Sequence, residues 1–184
     1  MMGEENKWIT HQSKEVYDNP WIKVVHDDVT TPTGTSGIYG TVLFKNKAIG
    51  IIPIDREGNT WLVGQYRYPL KEYSWEIPMG GGPHNEEPLQ TAQKELKEET
   101  GIEAKKWTNL MKIHTSNSVT NEVGFIFLAE ELTYGETSFD ETEDLTIKKL
   151  PFTEAYQMVL DNKITDAISV SGILFAAQTI MKLK

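Results

Sequence analysis

Cysteine is absent from the 184 residues, and that absence excludes disulfides, thiolate metal sites and a cysteine nucleophile. Nowhere does an apolar run reach the length a bilayer-spanning helix needs, and the opening "MMGEENKWITHQSK" has no basic region followed by an apolar one. The expected compartment is therefore the cytosol. Positive charge is scarce: 18 lysines and arginines stand against 27 aspartates and glutamates, for a net charge of −9. Surfaces that bind phosphate backbones are normally built from clustered lysine and arginine, so neither nucleic acid nor an anionic membrane is an expected partner. An anionic ligand would have to be met by local cations or by a metal. Repeats and low-complexity stretches are also missing. The four histidines, His11, His26, His84 and His114, are scattered without ligand spacing.

What is present suits one ordinary domain with a small appendage. Apolar residues make up 39% and charged residues 24%, a mixture that can bury a core. Residues 7–45 hold short β-type runs, "WIKVVHDDV" and "GIYGTVLFK", around the turn-forming "TTPTGTSG", and predict a small antiparallel sheet. The segment "KAIGIIPIDREGNTWLVGQY" predicts two strands joined by a hairpin at "DREGN". A helix is expected over 88–100, with Pro88 at its first position, Gly101 as its left-handed cap, and Leu89, Ala92 and Leu96 facing the core. Strands are expected near "WTNLMKIHT", "EVGFIFLAEEL" and "TIKKLP". Two helices follow, the second with Ala167, Val170, Leu174, Ala177 and Met181 as its apolar stripe. Strands through the middle with helices interspersed predict an α/β sheet covered by helices.

Residues 80–102, "GGGPHNEEPLQTAQKELKEETGI", raise a sharper question, because glutamate recurs at 86, 87, 95, 98 and 99. On the expected helix Glu95, Glu98 and Glu99 stand at i, i+3 and i+4, so their side chains crowd one side. Like charges at that spacing cost roughly 0.2–0.5 kcal/mol per pair. A solvated surface face is the plain explanation of any one acidic pair. A hard divalent cation is the other, since carboxylate oxygens are what Mg²⁺ prefers, and the glycines at 80–82 would let backbone close over it and offer a carbonyl.

The full spacing resembles the box of the Nudix hydrolases, G-x5-E-x7-R-E-U-x-E-E-x-G-U with U aliphatic. Gly80, Glu86, Glu95, Leu96, Glu98, Glu99, Gly101 and Ile102 fall on their positions, and Lys94 stands where the family has arginine. The resemblance implies an α/β/α sandwich with a mixed sheet, and Mg²⁺ or Mn²⁺ held against a nucleoside diphosphate. It implies that Glu95, Glu98 and Glu99 are metal ligands, with Gly80 and Glu86 in support. Lysine keeps the charge of the box arginine without its forked geometry, so Lys94 implies a tuned enzyme.

Further segments, "VGQYRYPL", "WEIPMGGG", "GFIFLAEEL", "DETEDL" and "DNKITDAISVSGILFA", resemble the branch that hydrolyses ADP-ribose and other nucleoside diphosphate sugars. That branch implies a homodimer, with residues 1–45 as an N-terminal β-sheet segment in the interface and 46–184 as the catalytic domain. Arg67 matches the arginine that grips the substrate diphosphate, although a surface arginine at a strand end is the alternative. Glu76 resembles a glutamate near the metal, or else forms a strand-edge ion pair. Trp21 and Tyr39 are candidates for stacking on a nucleobase or for core and dimer packing. Glu141 and Glu143 match a general base on a late acidic loop, which without the resemblance reads as a solvated run. Where the ADP-ribose group carries a proline in a run like "SPGxxxE", this chain has "SNSVTNE", with Asn117 in that place; the departure weighs against ADP-ribose and toward a nucleotide sugar such as GDP-mannose or another diphosphate of that kind.

The implied reaction is metal-dependent cleavage of a nucleoside diphosphate sugar into a nucleoside monophosphate and a sugar phosphate. Two rivals stay open. One is hydrolysis of nucleoside triphosphates or dinucleoside polyphosphates on the same fold, and the other is a sensor that binds nucleotide sugars without turnover.

Overall fold

The computed structural model describes residues 5–135 and 145–181. The chain forms two compact units, one from residues 1–46 with 116–122 and one from 47–115 with 123–184.

The first unit is a three-stranded antiparallel sheet in the order β1-β2-β3, where β1 is Ile9–Asp18, β2 is Ile22–Thr30 and β3 is Ser36–Phe44. The threonines at 31, 33 and 35 close the turn between β2 and β3 through their hydroxyls, with Gly34 at φ 84°. Along β3 lies the segment 116–122: the Val42 N–H donates to the Val119 carbonyl at 2.9 Å, and the Phe44 N–H donates to Asn121 Oδ1 at 2.6 Å. All ten residues of β1 are exposed, Ile9, Val16 and Tyr17 among them.

The second unit is built on β4 (Asn46–Pro53), β5 (Asn59–Arg67), β6 (Glu72–Glu76), β7 (Met79–Pro83), α1 (Pro88–Thr100), β8 (Ile102–Ile113), β9 (Gly124–Tyr134), β10 (Thr146–Pro151), α2 (Phe152–Leu160) and α3 (Ala167–Ile180). A four-stranded sheet runs β7-β4-β9-β8, parallel between β4 and β9 and antiparallel between β9 and β8. A smaller antiparallel sheet runs β10-β5-β6.

Side-chain alternation on the central strands explains the layers. Ile49 and Ile51 of β4, with Phe127 and Ala129 of β9, join Ala92 and Leu96 of α1 in one core. Ile52, Ile126 and Leu128 point the other way and join residues of α2 and α3, including Phe152, Ala155, Ile168 and Ile173. Strands covered on both faces read as nearly continuous apolar runs, as "GIIPI" and "GFIFLA" do. Each fully buried isoleucine contributes on the order of 1.5–3 kcal/mol. The unit is thus an α/β/α arrangement around a mixed sheet.

The "DREGN" turn joins β4 to β5 but closes no hairpin, contrary to the expectation, because β4 pairs within the four-stranded sheet and β5 within the three-stranded one; Asp55 holds the turn. Asp55 Oδ1 accepts the Asn59 N–H at 2.7 Å and the Glu57 N–H at 3.0 Å. Its other oxygen meets Lys149 Nζ of β10 at 2.8 Å, and that ammonium lies 4.7 Å from the centre of the Trp61 ring.

Candidate active site

The start and end of α1 follow from their residues: Pro88 begins it where an N–H would be unpartnered anyway, and Gly101 ends it at φ 69°, donating its N–H to the Lys97 carbonyl. The buried side of the helix differs from the expected one. Ala92, Leu96 and Glu99 face inward with Thr91, whereas Leu89 in the first turn is exposed. The inward stripe is spaced i, i+4, i+7 and includes a carboxylate. Glu99 is tolerated there because Oε2 accepts the Met79 N–H at 3.0 Å; an unpartnered buried carboxylate would be far more costly.

Glycine at 80 and 82 has a concrete cause. A Cβ on Gly80 would overlap the Glu95 carboxylate, and one on Gly82 would overlap the Thr91 hydroxyl. Strand β7 therefore lies directly against the acidic side of α1. Its approach is fixed from the other end by Lys47, a buried lysine whose ammonium donates to the Glu86 carbonyl.

Lys94 lies among three of the glutamates. Its Nζ is 3.4 Å from Glu98 Oε2, and the negative charge of Glu95, opposed by burial and assisted by Glu98 and Glu86, raises its pKa. Glu86, Glu95 and Glu98 thus act on one point in space, with Glu99 adjoining through Met79. The acidic positions expected to act together are divided, with Glu86, Glu95 and Glu98 toward Lys94 and Glu99 buried against Met79.

Arg67 and Glu76 form a forked pair. Arg67 Nε donates to Glu76 Oε1 at 2.8 Å, and a terminal nitrogen donates to Oε2. The Glu76 side chain is 3% exposed and that of Arg67 37% exposed, so the pair has one face open. Hydrogen bonding to Glu76 raises the Arg67 pKa, and the charges of Asp166 and Glu99 act in the same direction. Arg67, Glu76, Ser74 and Asp166 line a cleft of about 260 Å³ with Pro69, Leu70 and Thr165.

Trp21 and Tyr39 belong to the first unit. Trp21 is 69% exposed. The Tyr39 hydroxyl donates to the Ser118 carbonyl, and its ring meets Trp8 edge-on at 5.3 Å. Glu141 and Glu143 lie outside the described residues.

Among the described residues, no three histidine, aspartate or glutamate side chains stand close enough together to hold an ion as they are. The donor chemistry nevertheless suits a hard divalent cation. The Glu95 carboxylate lies in the cradle that Gly80 leaves open, Glu98 neighbours it, and all the donors are oxygens. The residues present therefore fit such an ion.

The sequence did not single out Lys47, Thr91, Asp166 or Ser169. The last two carry a local signal, since "DAIS" has an N-cap aspartate three residues before a serine. Nothing local marks Lys47.

A NUDIX domain model matches residues 45–168. The chain belongs to the Nudix family. Residues 8–42 match the nucleoside diphosphate sugar hydrolase N-terminal domain, so this Nudix protein is a hydrolase of pyrophosphate bonds of the nucleoside diphosphate sugar kind. It is 31% identical over 177 residues to an ADP-ribose pyrophosphatase of Bacillus subtilis, covering 95% of this chain and 94% of that one. It is 30% identical to a methanol dehydrogenase activator of Bacillus methanolicus, covering 95% of each. A crystal structure of an ADP compounds hydrolase superposes with a TM-score of 0.86 at 22% identity, over 98% of this chain and 97% of that chain, and shares the fold. Nudix hydrolases generally need a divalent metal, in keeping with the oxygen donors described above. Among the described residues, no helix is long and apolar enough to cross a membrane.

Proposed function

We propose that this Nudix hydrolase splits ADP-ribose, in preference to GDP-mannose, into AMP and ribose 5-phosphate, with Mg²⁺ as its ion and Mn²⁺ as a substitute. The observation that carries the reading is the acidic side of α1 against β7, where the Glu95 carboxylate lies in the cradle that Gly80 leaves open and Glu99 is tied to the Met79 N–H. The likeness to an ADP-ribose pyrophosphatase over nearly the whole of both chains supports the choice of substrate.

Glu95, Glu98, Glu99 and the Gly80 carbonyl would hold the metal, with Glu86 beside them. When bound, the ion supplies positive charge to the diphosphate and lowers the pKa of a water. The chain's own residues do the rest. Arg67 presents the open edge of its guanidinium to substrate phosphate while Glu76 keeps its plane fixed. Lys94 offsets the mutual repulsion of the carboxylates around it. The proton acceptor is assigned to Glu141 or Glu143, and Trp21 and Tyr39 remain the candidates for contact with the base.

A homodimer belongs to the same proposal. A ten-residue strand with every side chain exposed, together with exposed Trp21 and Ile38 on the same sheet, is an unusual amount of uncovered surface for an isolated chain. Light scattering should give twice the chain mass, and a monomer would refute this part. The cytosol is the compartment that goes with the reading, since nothing in the chain depends on a disulfide.

The deciding experiment is phosphate release coupled to alkaline phosphatase, with ADP-ribose, GDP-mannose and diadenosine polyphosphates, with and without Mg²⁺; nucleoside triphosphates, which the phosphatase attacks itself, are followed by chromatography without it. Metal-dependent release confined to the diphosphate sugars, abolished by Glu98→Gln, is expected. Silence with ligand still bound would favour a sensor.

A further inference from the structure

The stretch from Glu76 to Gly80 separates the arginine cleft from the acidic side of α1, and nearly every residue in it is fastened. Glu76 is held by Arg67. The Pro78 carbonyl accepts the Ile51 N–H of β4 at 2.8 Å, the Met79 N–H goes to Glu99, and Gly80 packs on Glu95. The remaining contact comes from the far end of the chain: the Ile77 N–H donates to Ser169 Oγ at 3.0 Å.

Ser169 is in the first turn of α3 and is 0% exposed. Its hydroxyl donates to Asp166 Oδ2 at 2.8 Å, and the same oxygen accepts the Ser169 N–H at 2.8 Å. The helix itself has little use for that hydroxyl, because alanine is the better helix former and the N-cap bond comes from backbone. With its proton committed to Asp166, the hydroxyl turns a lone pair toward Ile77. Asp166 also lines the cleft with Arg67 and Glu76.

We propose that Asp166 and Ser169 are a positioning pair, which sets the spacing between the Arg67–Glu76 fork and the Gly80–Glu95–Glu99 group by fixing the backbone between them. The inference rests on the reading that these groups are the diphosphate and metal ends of one site. Ser169 touches neither ligand and acts through Ile77.

The test compares Ser169→Ala and Ser169→Thr in the full chain. Two readouts are taken: Mg²⁺-dependent turnover of ADP-ribose, and binding of Mn²⁺ alone, followed by the electron paramagnetic resonance of the free ion. Circular dichroism and thermal unfolding check the fold. Ser169→Ala should lower kcat and Mn²⁺ affinity roughly 10-fold, on the scale of one buried hydrogen bond, with KM little changed. Ser169→Thr should restore most of both.

Wild-type kcat and Mn²⁺ affinity in Ser169→Ala would overturn the proposal. Equal losses in both variants with equally lowered unfolding temperature would also overturn it, by assigning Ser169 to packing. If the wild-type chain binds Mn²⁺ but cleaves no diphosphate, the hydrolase reading fails, and the Mn²⁺ affinities alone then decide whether the pair positions the site.

Discussion

At the residue scale, two cations near the acidic groups have different tasks, and substitution separates them. Arg67 meets Glu76 through two nitrogens, a geometry lysine cannot copy. Arg67→Lys should therefore keep the charge and fold while losing roughly 10–100-fold in kcat/KM for ADP-ribose, the equivalent of one charge-assisted hydrogen bond. Arg67→Ala should in addition cost about 1–3 kcal/mol in urea unfolding, because it leaves the buried Glu76 carboxylate short of its partner. Lys94 is exposed and pairs with Glu98 at 3.4 Å, so Lys94→Arg should raise kcat and leave the urea midpoint almost unmoved. An unaltered or lower kcat would refute the tuning assigned to this lysine. The acidic grouping was legible in the sequence because its spacing is local to one helix. Ser169 was not, since its partner Ile77 is 92 positions away.

At the scale of elements, helix α1 was read correctly in its bounds and misread on its buried side. Leu89 is apolar but sits in the first turn and is exposed, while Glu99, a charge, is buried because a backbone N–H is aimed at it. Helix α3 shows the complementary failure. It is apolar nearly all round, so periodicity could not choose a face; Ile168, Ser169, Gly172, Ile173, Ala176 and Ala177 are buried, whereas Leu174 is exposed. The Asp55 turn gives a prediction at this scale. Burial pushes the Asp55 pKa up, but the bonds from Lys149 and Asn59 outweigh it and bring it from 3.8 to about 2. A folded value below the unfolded one stabilises at pH above the unfolded pKa, and the stabilisation is lost as pH falls through the folded one. Urea midpoints should fall between about pH 4 and pH 2, and the fall should be shallower in Asp55→Asn.

At the scale of the whole molecule, the sequence divided the chain once, near residue 45, while the structure also places 116–122 with the N-terminal strands. That segment is the "SNSVTNE" run used to weigh substrates, and here its groups bond to β3. A loop that leaves one unit to pair in another has no local signature.

The parallel pairing of β4 with β9 brings Ala48 beside Gly124, and every residue of the box lies within the chain so enclosed. Closing a long loop before its contacts can form slows folding, whereas α1 can form within microseconds on local bonds alone. Refolding from urea should therefore recover helical dichroism early and ADP-ribose cleavage late, the two traces separating in time. Coincident recovery would show that the parallel pair forms no later than the helix. For a ribosome emitting the chain in order, the carboxylates exist well before the strand that gives them a common address, so catalytic competence must wait for the synthesis of β9 and of the later residues that serve the site.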